Sequence, residues 1–154
     1  MNKKAIFGIS LILIAIFAIG SASAFDLGLM LGGDGNETVT IDGIDFNIPA
    51  GFTEDPTHET VNKTNEQSGI TYVTNGKLYE KGNTVVTMLV ADYGKHKVTD
   101  EVAESVGGDA KTINDVNGYL AHKGKFSVFN YAKNDKLVII STNDESVIGD
   151  FIME

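Results

Sequence analysis

The chain contains no cysteine and no tryptophan, and its twelve basic residues are all lysine. Each absence removes a class of chemistry. Without Cys there is no disulfide staple, no zinc–thiolate centre and no thiol nucleophile. The Cys that carries the lipid of a bacterial-type lipoprotein is missing too. Without Arg the surface lacks the planar guanidinium that grips phosphate through two parallel hydrogen bonds. Acidic residues number 21 and the formal net charge is −9. That balance argues against a nucleic-acid partner, which needs basic surface. Without Trp a carboxylate pair has no obvious sugar platform beside it, so glycoside hydrolysis has no support.

Motifs of catalysis are absent as well. His58, His96 and His122 fall in three separate segments, with no HExxH. A metal site would have to be assembled by the fold. No serine lies in G-x-S-x-G, and no glycines form G-x-G-x-x-G or a P-loop. Asp34, Asn36 and Asp42 loosely follow calcium-loop spacing, but Thr38 stands at the fifth position and no Gly at the sixth. No catalytic residue, metal ligand or cofactor is therefore assigned.

What is present begins with a targeting segment. Lys3 and Lys4 precede a uniformly apolar run, Ala5 to Ile19, and Ala22-Ser23-Ala24 is an A-x-A cleavage signal. Two fates fit residues 1–24. They form a cleaved signal peptide, or an uncleaved anchor, since a bilayer crossing needs about 20 apolar residues. In both, the lysines stay inside and the domain is exported, to the extracellular space or the outer face of the cytoplasmic membrane. Residues 25–36 are a Gly-rich tether. Residues 37–154 form a single domain, and loss of Lys3 and Lys4 takes the net charge from −9 to −11.

Within that domain the turn signals set the pattern. Val39 and Ile41, then Asp42-Gly43, then Ile44, Phe46 and Ile48 read as a hairpin that ends at Pro49. Residues 53–68 hold one aliphatic residue, Val61, and read as a long polar loop with a helical turn after Pro56. Asn75-Gly76 reads as a turn between two strands, and Thr84–Asp92 as a central strand. Residues 99–106 read as a helix, with Thr99 at its start and Gly107-Gly108 at its end.

The stretch from Lys111 to Ser141 reads as an antiparallel meander. Asn117-Gly118 is its first expected turn and Asn134-Asp135 its second. A two-residue turn at Asn134-Asp135 sets Phe129 opposite Ile140 and Tyr131 opposite Val138, with Val128, Ala132, Leu137 and Ile139 on the other face. It also sets Lys133 opposite Lys136, a like-charge pair that a longer turn would avoid. Thr142-Asn143-Asp144-Glu145 matches a capping box, and Val147, Ile148, Phe151 and Ile152 follow on one helical face. The expected class is α+β: an antiparallel meander sheet, with a helix over about 99–106 and a C-terminal helix over about 143–153 packed on it, behind an N-terminal hydrophobic signal or anchor helix.

The strand ending I-P-A-G-F (Ile48–Phe52), the meander, the short helix, the T-I-N-D-V-N-G-Y segment, the F-N-Y and L-V-I-I-S-T strands and the closing helix form a recognisable order. That order resembles the PsbP-like, or DcrB-like, α/β/α sandwich group, over residues 37–153. It also resembles small exported proteins of archaea. The resemblance implies an architecture and no catalytic residue.

The function expected is that of an exported, non-enzymatic binding or accessory domain. Its partner would be a protein or an envelope component, with membrane contact through residues 1–24 if they stay attached. The binding surface would be the 53–68 loop with the 93–98 connection, through Asp55, His58, Glu59, Asn62, Lys95 and His96. Asn36 and Asn62 head N-x-T sequons, acceptors for glycan if the export route glycosylates. Two alternatives belong to other classes. One is a small metal-dependent hydrolase using His58 and His96. The other is an envelope structural protein that self-associates through a sheet edge.

Overall fold

The computed structural model describes residues 36–154. The leader, the calcium-like Asp34 and the tether up to residue 35 lie outside the described residues. Strands β1 (Glu37–Ile41) and β2 (Ile44–Ile48) form a separate hairpin about Asp42-Gly43, as the alternation requires. The remaining strands are β3 (Thr53–Glu54), β4 (Thr60–Gln67), β5 (Ile70–Lys81), β6 (Thr84–Asp92), β7 (Asp109–Ile113), β8 (Val116–Lys123), β9 (Phe126–Lys133) and β10 (Lys136–Thr142). They form one sheet in the order β3-β5-β6-β10-β9-β8-β7, with β4 also on β5. Every pairing is antiparallel. β6 and β10 lie at the centre because their apolar runs are suited to burial on both faces.

Each face is covered differently. Helix α1 (Asp100–Val106) and the 93–98 connection cover one face, over Tyr72, Leu89, Ala91, Val128, Leu137 and Ile139. The hairpin and the short helix α2 (Ile148–Phe151) cover the other, over Met88, Val90, Phe129, Tyr131, Val138 and Ile140. After α2 the chain extends, and Ile152 bridges to Phe46 of β2.

The β9–β10 register is the two-residue one: Phe129 faces Ile140, Tyr131 faces Val138, and Lys133 faces Lys136. The lysines do not clash, because each has a partner elsewhere. Lys133 Nζ donates to the Met153 carbonyl at 2.6 Å, and Lys136 Nζ to the Asp42 carbonyl at 2.6 Å.

The α+β expectation is corrected: the described chain is 59% strand and 14% helical, a mostly β fold. The α/β/α layering that the resemblance implied rested on helices that prove short. The C-terminal helix expected over 143–153 is a 3-10 turn, Glu145–Val147, followed by the four residues of α2. The capping box does not form. Asp144 caps the turn through Ser146 N, Thr142 Oγ1 accepts from Asp144 N, and Glu145 is drawn to Lys111. The 99–106 helix is present as α1, with Gly107 at φ +106 closing it.

Three further expectations fail for related reasons. The polar stretch 53–68 is not a loop. It contains β3, a 3-10 turn (Pro56–His58) and β4, which is an edge strand and so shows no buried alternation. Neither Asn-Gly pair is a turn. The chain turns instead at Ser68-Gly69 (φ +52 and +78) and at Asn114-Asp115 (φ +50 and +62). Gly76 and Gly118 are strand residues where neighbours come too close for any side chain. A Cβ at Gly76 would lie 2.8 Å from Leu89 Cδ1, and one at Gly118 would lie 2.6 Å from Phe129 Cζ.

Candidate functional site

Where the hairpin tip meets the bulged start of β4, a groove of about 280 Å³ opens. Thr40 and Asp42 come from β1 and its turn, Glu59 and Asn62 from the approach to β4 and its bulge, and Asn75 and Lys77 from β5. The bulge falls between Thr60 and Lys63, with Asn62 in the left-handed region at φ +46. Asn75 Oδ1 holds it by accepting from Asn62 N at 2.7 Å. The bulge also turns Val61 outward, 63% exposed and the one exposed large apolar side chain among the described residues.

Two lysines brace this groove. Lys77 Nζ contacts Glu54 Oε1 at 2.6 Å and Glu59 Oε1 at 3.2 Å. The hydrogen bond to Glu54 leads the causes that raise the Lys77 pKa, against an opposing effect of burial. Tyr79 Oη also donates to Glu54, at 3.3 Å. Burial, with Glu54 next, pushes the Tyr79 phenol up to about 12. Lys136 reaches Asp42 Oδ1 at 3.1 Å and Asp92 Oδ2 at 3.3 Å. Burial disfavours its charge, but Asp42 and Asp92 outweigh that and raise its pKa. Each cation sits between two carboxylates, so each brace keeps an excess of negative charge. With Thr40, Asn62 and Asn75 beside Val61, such a surface suits hydrogen-bonding groups around an apolar contact more than an anion.

The residues expected to bind are divided by the fold. Glu59 and Asn62 line the groove. Asp55 and His58 belong to the neighbouring 3-10 turn, where His58 Nδ1 lies 2.6 Å from Asp55 Oδ2. Thr57 donates to Asp55 from both N and Oγ1, and the hydroxyl bond leads the causes that lower the Asp55 pKa. Lys95 and His96 are elsewhere, in the connection that leaves β6 beside Val73. The His58 turn docks where Asp55 N donates to the Leu78 carbonyl. Five residues of strand, about 16 Å, separate those two levels of β5. Among the described residues no group of three or more His, Asp or Glu is placed to hold a metal. The sequon residues Asn36 and Asn62 are both exposed, and Asn36 Oδ1 accepts from Ala50 N at 3.2 Å.

A second cluster escaped the sequence entirely. Glu145 gathers Lys111 of β7 (2.9 Å), Ser127 of β9 (3.3 Å) and His122 of β8 (3.6 Å). Ser127 Oγ also lies 3.1 Å from His122 Nδ1. A hydroxyl, an imidazole and a carboxylate thus meet, as in acyl transfer. The same carboxylate oxygen, however, touches the hydroxyl at 3.3 Å as well as the far ring nitrogen at 3.6 Å, and His122 is 65% exposed. The geometry is that of a tie between strand ends. No spacing rule finds it, because its residues come from four elements.

A scan against protein-family models found no match, and neither did searches of curated proteins and of solved structures.

Proposed function

We propose that this is an exported, non-enzymatic domain that binds a protein or another envelope component outside the cytoplasmic membrane, through the hairpin-tip groove. The single observation behind this is that groove: three distant segments, two lysine–carboxylate braces and one outward-turned valine meet at one place. The leader pattern supports export, and an uncleaved leader would add membrane contact. The acidic surface without Arg speaks against nucleic acid.

The test is in-cell crosslinking of the full chain, with fractionation of the products. Adducts outside the cytoplasmic membrane should weaken at least about tenfold in Val61→Asp, since an introduced charge at an apolar contact must be desolvated. Adducts unchanged by Val61→Asp, or a chain confined to the cytoplasm, would refute the reading.

A second reading, a small hydrolase, is favoured by Ser127, His122 and Glu145 rather than by His58 and His96. A fluorophosphonate probe that labels Ser127 in the native chain, but not in His122→Ala, would establish it in place of the first. An unlabelled Ser127 would dismiss it.

A further inference from the structure

The two Asn-Gly pairs have a chemical consequence because they are strand residues. In Asn-Gly the glycine nitrogen has no neighbouring side chain to hinder it. It can attack the asparagine Cγ: a nitrogen–Cγ bond forms, the Cγ–Nδ2 bond breaks, and ammonia leaves with the glycine amide proton. Water then opens the cyclic imide at either carbonyl, giving aspartate or its β-linked isomer. A paired, extended backbone holds the nitrogen away from Cγ, so reaction waits for local opening.

The two sites differ in what must open. Gly76 pairs with Leu89 of β6 and with Thr60 of β4, and Asn75 pairs with Val90. The backbone of Asn62 also holds the Asn75 side chain, at 2.7 Å. Asn117 and Gly118 pair with Thr112 and Lys111 of β7, while the ladder from β8 to β9 begins only at Tyr119. β7 is the five-residue edge strand, exposed from Asp109 to Thr112. The Asn117 side chain is exposed, and its Oδ1 is held by the exposed Thr112 hydroxyl at 2.6 Å. The turn pairs Asn114-Asp115 and Asn134-Asp135 are more open, but the side chain of their second residue hinders attack.

We infer that Asn117 is a built-in deamidation site, which opens with the β7 edge, and that the fold protects Asn75. The change is not silent. The β-linked product adds a methylene to the main chain beside Gly118, where even a Cβ would lie 2.6 Å from both Phe129 Cζ and the Asn130 carbonyl. It also adds a carboxylate to a hollow of about 220 Å³ that Asp100 already lines. Conversion therefore loosens the β7 edge that slowed it.

The test is incubation of the full chain at mildly alkaline pH, native and in urea, with peptide mass spectrometry over time. In the native protein Asn117 should convert at least about tenfold faster than Asn75, and in urea the two should agree within about twofold. Thr112→Val should speed Asn117 and leave Asn75 unchanged. The inference is overturned if Asn75 keeps pace in the native protein, if Asn117 stays intact while the urea sample converts, or if the gap persists in urea.

Discussion

The two faces of the sheet are built on different plans. The hairpin face is packed mainly by aliphatic side chains and rings. Phe46, Phe129, Phe151, Ile44, Ile140 and Ile148 are buried with aromatic edges in contact, as where Phe52 meets Phe151 at 4.9 Å. The α1 face carries polar atoms at its centre. Asn130 is wholly buried, donates from Nδ2 to the Tyr119 carbonyl at 3.0 Å and the Gly107 carbonyl at 3.4 Å, and its Oδ1 has no partner among the described residues. Tyr93 stacks on Tyr72 at 4.8 Å between ring centres, with its hydroxyl equally unpartnered. Burial pushes the Tyr93 phenol pKa well up. Both faces thus bury apolar area, and the α1 face adds a few directed bonds, one of them at the end of α1. Area is forgiving of direction, whereas directed bonds specify position at some cost in desolvation.

That difference orders the consequences of substitution. Phe46→Ala strikes the hairpin face at a wholly buried ring, where β2 also meets Ile152. It should cost about 3–5 kcal/mol in urea unfolding, through lost burial and the cavity left behind. Asn130→Ala should cost less, about 1–3 kcal/mol, by removing the buried hydrogen bonds to two carbonyls. Its signature would be faster amide exchange in α1 while β2 stays protected. Equal costs for the two variants would erase the distinction between the faces.

Smaller effects sharpen it. The hydrogen bond from Lys111 leads the causes that hold the Glu145 pKa below its ordinary 4.5. A lowered folded pKa gives a stabilisation that is full above the unfolded value and is lost as pH falls through the folded one. Lys111→Ala should therefore lower stability at pH 7 by under about 1 kcal/mol, the group being partly exposed, and flatten the acid limb of a stability–pH curve below about pH 4.5. Tyr93→Phe should be the smallest, within about 0.5 kcal/mol and in the stabilising direction, because it removes a buried hydroxyl with no partner among the described residues. A loss of 2 kcal/mol or more there (about the cost of a broken buried bond) would mean that the hydroxyl is satisfied.

Legibility in the sequence followed the same physics. The hairpin about Asp42-Gly43, strand β6 and the β9–β10 register were readable, since apolar alternation and a turn with φ > 0 coincide there. Strand β4 was not, because TVNKTNEQ is polar on both faces and is recruited by β5 alone. Asn75-Gly76 and Asn117-Gly118 misled because glycine serves two ends, turning and close approach. Neighbours across the sheet decide between them: Leu89 and the Met88 carbonyl at Gly76, Phe129 and the Asn130 carbonyl at Gly118. Buried Asn130 was hidden among apolar neighbours of like period. The groove could not be read at all: Glu59 and Asn62 were named, but Asp42 and Lys77 join them only through tertiary pairing.

The bridge from Phe46 to Ile152 bears on how the molecule comes into being. The first two strands to emerge find their covering partners in the last dozen residues, and Asn47 Nδ2 donates to the carbonyl of Asp150, 103 positions away. Those residues complete a cluster in which Phe46 also meets the sheet beneath it. Contacts so far apart along the chain must meet the entropy of loop closure before they stabilise anything, so this layer is expected to close late in folding.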